Sequence, residues 1–299
     1  MTLRVGLVGA GMVAQYHATG WDSCPDAQIV AVADPDPGRA QRLAGRIKCP
    51  AFATLHEMLA AGGLDAIDIV APVGAHAQLI ERAVAAGLPV MCQKPLTATA
   101  LETKRLIDRL PDTALVMVHE NWRWRAPYRA LKQKDLSAVR RFEMEMMSSG
   151  LCADEGQSPP ALVRQAFLGG LERLLVFELL IHHLDVLAFL FGPLRVDAAR
   201  IDFQSDLVRG EDYAEIQLSG SGRNGRLVGN WSAPGAPVTP TDRLKLDDGE
   251  LLVDGWTLRA SPQVLRWDPI DGYQASYNAT IAHFAQSILQ QTPFETGLI

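Results

Sequence analysis

The residues best suited to acid–base chemistry lie in the stretch ELLIHHLDVLAFLFG, residues 178–192. On an α-helix, Glu178, His182 and Asp185 stand at i, i+4 and i+7 and share one narrow stripe, while apolar side chains cover the remaining circumference. Ionisable groups on a buried helix are costly unless they pair, hydrogen-bond or face a wet cavity. The stripe is therefore either a structural His182–Asp185 pair or a catalytic site. His183 points about 100° away from His182 and is expected to serve packing or support.

The elements that position these residues follow from the hydrophobic periodicity. Over residues 1–120, β-branched runs such as RVGLVG, QIVAVAD and AIDIVAP alternate with helical segments. This alternation is typical of βαβ units in a buried parallel sheet. From about Ser137, longer runs such as AVRRFEMEMM and YAEIQLSG alternate polar and apolar residues, which indicates an antiparallel sheet with helices on one face.

Two domains are therefore predicted. The first, residues 1–120, is an α/β domain with a doubly wound parallel sheet. The second, residues 121–299, is an α+β domain with a large, mostly antiparallel sheet covered by helices. We expect its last helix, from about residue 275, to pack back on the first domain.

A glycine-rich turn, GAGMVA at residues 9–14, follows the first strand and opens a helix. Gly9 makes the tight turn, Gly11 admits a pyrophosphate, and Met12 and Val13 lie at the helix N-terminus where the phosphates bind. Asp34 ends the second strand, where a carboxylate accepts from ribose hydroxyls. The sequence predicts a Rossmann dinucleotide site.

The charges beside this site favour NAD over NADP. Asp34 and Asp36 repel a 2′-phosphate, whereas Arg39 is the residue that would reverse the preference by covering the adenine ribose.

Further polar residues follow the other strands. Pro72 and His76 come after AIDIV, and His76 is either a helix cap or a cofactor contact. Lys94 lies between the strand LPVMC and Pro95. Trp122 and Arg123 follow the sixth strand and are expected in domain packing or in a substrate wall.

The composition of the chain argues against several classes of binding partner and site. The net charge of −6 argues against general nucleic-acid binding, which needs a basic face. The four cysteines show neither CxxC pairs nor zinc spacing, so we expect reduced thiols and no metal site. We expect neither an export signal nor a membrane span, and therefore a cytoplasmic protein.

These motifs together resemble the Gfo/Idh/MocA family of dehydrogenases over essentially the whole chain. The matching features are residues 9–14, Asp34, the turn at residues 72–76, Lys94–Pro95 for the family's Glu-Lys-Pro, and Glu178–x–x–x–His182–x–x–Asp185 for its Asp-x-x-x-His-x-x-Asp. Gln93 and Glu178 depart from the pattern, which usually has Glu and Asp there. The Gln-Lys-Pro and ENWRW segments more specifically resemble a branch of the family that includes sugar dehydrogenases such as D-apiose dehydrogenase. Family members usually continue beyond the segment QQTPFETGLI into a closing helix. The sequence therefore leaves open whether the C-terminus is shortened.

The resemblance implies a function and a set of roles. Lys94 and His182 handle protons beside the nicotinamide, Glu178 contacts the substrate, and Asp185 orients His182. The implied reaction is NAD-dependent hydride transfer at a sugar or polyol hydroxyl carbon. Separately, the open face of the C-terminal antiparallel sheet, with the strand RLVGNWSA, favours a homodimer or homotetramer. Which of Lys94 and His182 lies closer to the reacting hydroxyl stays open.

Two other functions remain as alternatives. One is a ligand-sensing regulator on the same fold, against which the presence of both Lys94 and His182 argues. The other is an NAD-assisted epimerase or lyase that acts on a sugar and regenerates its cofactor.

Overall fold

The computed structural model describes residues 2–154, 156–247, 249 and 251–298. They form two compact units. One comprises the residues up to Trp124 together with those from Tyr273 onward, and the other runs from Arg125 to Gly272. The residues from Tyr273 thus belong to the first unit, whereas the boundaries drawn from the sequence counted them with the second domain.

The first unit is a parallel sheet with helices along the chain between its strands. The strands are β1 (Leu3–Val8), β2 (Ala27–Ala33), β3 (Ala51–Phe52), β4 (Ala66–Ile69), β5 (Val90–Gln93) and β6 (Val116–His119). The helices are α1 (Ala14–Asp22), α2 (Pro37–Ile47), α3 (Leu55–Ala61), α4 (Val73–Ala85) and α5 (Ala100–Arg109). The strand order β3-β2-β1-β4-β5-β6, with every neighbouring pair parallel, is the Rossmann order.

Local sequence explains where several helices begin. Thr54 accepts a hydrogen bond from the N–H of Glu57, whose carboxylate accepts from Ala53. Thr99 and Glu102 repeat this arrangement at the start of α5. Such reciprocal capping satisfies N–H groups that have no partner within the helix.

The core of the first unit includes the final long helix, α9 (Pro269–Gln290), from Tyr273 onward. Its Ile281, Phe284 and Ala285 share one apolar cluster with residues of β1 and α1, Trp21 among them. The Trp21 and Phe284 rings pack edge to face, with their centroids 6.2 Å apart. These contacts anchor the C-terminal segment in the first unit.

The second unit is built on an eight-stranded sheet in the order β14-β13-β12-β11-β7-β10-β9-β8. Its strands are β7 (Arg141–Met147), β8 (Arg195–Asp202), β9 (Tyr213–Gly220), β10 (Arg223–Asn230), β11 (Thr241–Leu246), β12 (Leu251–Asp254), β13 (Thr257–Ala260) and β14 (Gln263–Arg266). Its helices are α6 (Ala126–Lys132), α7 (Pro160–Arg164) and α8 (Ile181–Phe191).

The predicted fold class is confirmed, with one difference in the second sheet. The strands pair antiparallel except for β7 and β10, which pair in parallel. Burial alternates along β7 and β11, so these strands have one covered and one exposed face.

Candidate functional site

The glycine-rich turn has the geometry that a dinucleotide needs. Gly9 has φ +103°, and a Cβ there would lie 2.4 Å from the carbonyl oxygen of Val70. A Cβ on Gly11 would meet no atom within 4 Å, so the backbone is open to a phosphate on that side. Helix α1 starts at Ala14 directly after Met12, which is 51% exposed, and Val13. The turn therefore fits a pyrophosphate at a helix N-terminus.

Asp34 supports the turn as well as lining the end of β2. Its Oδ2 accepts the N–H of Ala10 at 2.7 Å, and its Oδ1 accepts the N–H of Asp36 at 2.8 Å. Each oxygen keeps a second lone pair for a ribose hydroxyl. The carboxylate thus fits the ribose role and fixes the backbone around it.

Asp36 and Arg39 form a pair at the start of α2. Asp36 caps this helix by accepting the N–H of Arg39, and this bond lowers the pKa of the Asp36 carboxyl. The Arg39 guanidinium lies 3.4 Å from Asp36 and is more than half exposed. An ion pair this exposed is weak, so the effect of Arg39 on cofactor preference stays a prediction.

His76 joins two loops of the first unit. It is buried, with Nε2 at 2.7 Å from the Ala71 carbonyl and Nδ1 at 3.0 Å from the Pro95 carbonyl. Burial lowers its pKa. Pro72, not His76, is the N-cap of α4, so the expected capping role is wrong. His76 holds the loop that carries Lys94, and its contact with a cofactor stays a prediction, as does that of Pro72.

A chain of buried polar groups leads to the residue before Lys94. The Nδ1 of His17 lies 2.7 Å from Asp68 Oδ2, and the Nε1–H of Trp21 donates to the same oxygen at 2.7 Å. The Gln93 amide nitrogen lies 2.8 Å from His17 Nε2 and 3.1 Å from His119 Nδ1. We call Asp68, His17, Gln93 and His119 the first-unit polar chain.

The expected substrate contacts Trp122 and Arg123 lie in a short 3₁₀ turn. Trp122 is buried, and the Arg123 guanidinium donates to the Glu295 carbonyl at 3.0 Å. Arg123 therefore ties the C-terminal segment to the first unit. A direct contact of either residue with a substrate stays a prediction.

The stripe of Glu178, His182 and Asp185 does not lie on one uniform α-helix. Residues Val176–Leu180 form a π-helical turn, and α8 begins only at Ile181. The α-helical spacing assumed between Glu178 and His182 is therefore wrong, since a π turn rotates less per residue. His182 is buried, whereas Glu178 and Asp185 are partly exposed, so they keep access to solvent or ligand.

Two side chains form hydrogen bonds at or next to the π turn. The Glu211 carboxylate accepts the N–H groups of Leu174 and Val176 at 3.2 and 3.0 Å. The Nδ1 of His183 lies 3.1 Å from the Leu179 carbonyl, which a regular α-helix would use for backbone bonding alone. Single π turns inside helices are frequent at functional sites.

His183 also belongs to a buried ionic cluster, as its expected supporting role implies. Its Nε2 lies 2.9 Å from Asp242 Oδ1, while Arg125 and Tyr128 donate to Asp242 Oδ2 at 2.8 and 3.3 Å. We call Arg125, Tyr128, His183 and Asp242 the second-unit ionic cluster. It connects α6, α8 and β11.

Asp242 keeps its charge in this cluster. Burial acts to raise the pKa of its carboxyl, but the positive charges of His183 and Arg125 and the hydrogen bonds outweigh burial and lower the pKa below its ordinary value. Burial beside this carboxylate raises the pKa of Tyr128 well above its usual range.

Within the described residues, no helix is both long and apolar enough to cross a membrane. The same part of the chain holds no group of three or more His, Cys, Asp or Glu side chains arranged to hold a metal ion.

Sequence reasoning missed the first-unit polar chain. A signal for it exists, because Asp68 is a charged residue within the apolar strand AIDIV, and His17 and Trp21 share one face of α1. What the sequence did not supply is the pairing of residues 51 positions apart.

Comparison with known proteins places this geometry in a family. A model of the Gfo/Idh/MocA oxidoreductases, described as an oxidoreductase family with an NAD-binding Rossmann fold, matches residues 3–120. D-apiose dehydrogenase of Rhizobium rhizogenes is 28% identical over 289 residues, which cover 89% of this chain and 81% of that protein. Inositol 2-dehydrogenase of Rhizobium meliloti is 34% identical over 202 residues, which cover 66% of this chain and 58% of that protein.

Structural comparison extends the likeness to both units. An oxidoreductase from Agrobacterium radiobacter, solved with NAD⁺, L-tartaric acid and magnesium, superposes with a TM-score of 0.85 at 25% identity, covering 99% of this chain and 91% of that one. The family match on the first unit, the relatives and this likeness over nearly the full length agree. The chain belongs to the Gfo/Idh/MocA family of oxidoreductases.

Proposed function

We propose that this protein is an NAD-dependent dehydrogenase that oxidises a CH–OH group of a sugar, polyol or inositol. The observation that carries the proposal is the complete dinucleotide turn, with Gly9, Gly11 and Asp34 in place, in a chain of this oxidoreductase family. In this proposal residues 1–120 bind the dinucleotide and residues 121–299 bind the substrate.

The cofactor proposed is NAD. When bound, it supplies a hydride acceptor at the nicotinamide C4. Gly11, Met12 and Val13 hold the pyrophosphate at the start of α1, and Asp34 accepts from the adenine ribose hydroxyls. The carboxylates of Asp34 and Asp36 disfavour the 2′-phosphate of NADP.

The proton of the substrate hydroxyl is proposed to pass to Lys94 or His182. A lysine or a histidine held at the reacting hydroxyl serves as general base while the hydride leaves the carbon. His76 orients the loop that carries Lys94 through the Pro95 carbonyl. The second-unit ionic cluster holds α8, which carries His182.

Substrate recognition is proposed to involve Glu178, Asp185, Trp122 and Arg123. Partly exposed carboxylates on the π turn and α8 are suited to accept from the adjacent hydroxyls of a sugar or polyol. The named relatives include dehydrogenases of D-apiose, which is a sugar, and of inositol, which is a polyol.

We also propose a homodimer or homotetramer built on the exposed face of the second sheet. Arg141 and Glu143 on β7 and Arg243 and Lys245 on β11 project from that face, and charges of both signs permit pairing with a second copy. Light scattering after size exclusion tests this, because a mass equal to one 32.5 kDa chain would contradict it.

The proposed activity is tested by screening aldoses, polyols and inositols for NAD reduction. The absorbance of the NADH formed measures the reaction. We expect turnover with at least one of these compounds, and faster turnover at low NAD than at low NADP. Tight binding of a sugar without any turnover would favour the ligand-sensing regulator. Isomerisation without net NADH would favour the epimerase.

A further inference from the structure

The orientation of the Gln93 amide is fixed by its neighbours. The backbone N–H of Lys94 donates to Gln93 Oε1 at 3.1 Å. A flipped amide would turn N–H groups toward that N–H, so the oxygen must face Lys94 and the NH₂ group must face the two imidazoles. Gln93 therefore donates to His17 Nε2 and to His119 Nδ1.

These two donations determine the protonation of both imidazoles. His17 Nε2 is an acceptor, so its proton lies on Nδ1, which donates to Asp68. His119 accepts at Nδ1, so its proton lies on Nε2. Both rings are therefore neutral and have opposite tautomers.

We propose that Gln93 is a positioning residue that keeps His17 and His119 neutral and leaves Asp68 as the single carboxylate of the first-unit polar chain. Lys94, which follows Gln93 directly, then has no carboxylate at the preceding position to stabilise its ammonium form. This second part rests on the proposed role of Lys94 in proton transfer.

A glutamate at this position would reverse the arrangement. Its carboxylate only accepts hydrogen bonds, so it would face His17 Nε2 and His119 Nδ1 with no proton to offer. His17, which already donates from Nδ1 to Asp68, would have to become an imidazolium to donate from Nε2 as well. The first-unit polar chain would thus take up a proton or keep an added negative charge at the residue that precedes Lys94.

Other titratable groups pack around this chain and are part of the same electrostatic environment. Cys92 on β5 has its pKa raised well above the usual range by burial and by Asp68. Tyr277 on α9 has its ring 5.0 Å from that of His119, and burial, together with Tyr273, Tyr16 and Glu120, raises its pKa. Each of these two buried groups therefore stays protonated near neutral pH, which leaves the two histidines as the groups within the first-unit polar chain that respond to residue 93.

The test measures histidine tautomers directly by ¹⁵N–¹H NMR on protein labelled at its seven histidines, with single substitutions for assignment. In the wild-type protein at about pH 7 we expect His17 as the Nδ1–H form and His119 as the Nε2–H form. In Gln93→Glu we expect at least one of them as an imidazolium at about pH 7. Imidazolium signals in the wild type, or unchanged histidine signals in Gln93→Glu, would overturn the proposal.

The kinetic arm tests the link to Lys94. In Gln93→Glu the acid limb of the kcat/KM profile should move to higher pH by about one unit, because the new carboxylate favours the ammonium form. An unmoved limb together with altered tautomers would overturn that link. Gln286→Glu, on an exposed position of α9, adds the same charge elsewhere and should change neither readout. The NMR arm needs no substrate, so an inactive wild-type enzyme would refute the proposed function alone.

Discussion

Asp68 in the first unit and Asp242 in the second are both buried carboxylates, but their surroundings differ. The hydrogen bonds to Asp68 in the described structure come from His17 and Trp21 through one oxygen, and Oδ1 has no partner among the described residues. Asp242 accepts bonds at both oxygens, and the guanidinium of Arg125 is one of the donors. One carboxylate is thus held by uncharged donors and the other by an ionic cluster.

The difference predicts how each region responds to change. The first-unit polar chain is sensitive to added charge, because Gln93 determines which nitrogens carry protons. The second-unit ionic cluster is sensitive to loss of its carboxylate, because removing one partner leaves a buried cation uncompensated. Each region includes a residue that is adjacent in sequence to a proposed proton-handling residue. Gln93 precedes Lys94, and His183 follows His182.

The largest effect is expected from removing the proton-handling residues themselves. Lys94→Ala and His182→Ala should each lower kcat by roughly 10²- to 10⁴-fold and leave NAD binding intact, since the loss is of general-base catalysis. If both act on the same proton, the double variant should be little worse than the poorer single one.

Matched controls for this prediction are Lys104→Ala and His56→Ala, which change exposed residues of the first unit. Steady-state kinetics and thermal melts separate the outcomes. Near-normal turnover combined with a lower melting temperature in both variants would show that the two residues are structural. Neither the first-unit polar chain nor the second-unit ionic cluster would then support a catalytic residue.

The next effect is on stability and distinguishes the two carboxylates. Asp242→Ala should lower the free energy of unfolding by about 3–5 kcal/mol, because it strands the buried charge of its partners. Asp68→Asn retains an acceptor for His17 and Trp21 and should cost roughly 1–3 kcal/mol. Urea unfolding measures both, with the exposed Asp108→Ala as a control expected near zero. Equal losses at the two sites would remove the distinction.

A smaller effect is expected at the nucleotide site. Asp34→Ala should weaken NAD binding by about 1.5–3 kcal/mol, because it removes charge-assisted hydrogen bonds, and it should reduce the preference over NADP. Calorimetric titration with both cofactors checks this. Unchanged NAD affinity would mean that Asp34 serves only the backbone of the turn.

The smallest effect is a pH dependence from Asp242. Its folded-state pKa lies below the ordinary value, so its contribution to stability is complete above about pH 4 and is lost as pH falls through the lower folded-state pKa. Wild-type stability should therefore fall more steeply with acidification than that of Asp242→Asn. Parallel curves for the two proteins would show that the carboxylate contributes no such linkage.

The sequence predicted the features that depend on local pattern. Strand and helix alternation gave the Rossmann sheet, and the spacing from Gly9 to Asp34 gave the dinucleotide turn. The π turn was not predicted, because the helical pattern of residues 178–192 does not distinguish a π turn from an α turn. The first-unit polar chain was not predicted either, because its contacts join α1, β4, β5 and β6, and no local pattern specifies such pairings. Likewise, β12–β14 are four-residue strands, too short for periodicity to identify.

Hydride transfer from the substrate carbon to the nicotinamide can be followed with an isotope label. With a sugar or polyol that the screen identifies, deuterium placed on the carbon bearing the reacting hydroxyl should be recovered at C4 of the nicotinamide, one deuterium for each NADH formed. A dehydrogenase produces this result together with a ketone or lactone product. Recovery of the deuterium in the sugar without net NADH, or formation of unlabelled NADH, would show that the protein does not act as this dehydrogenase.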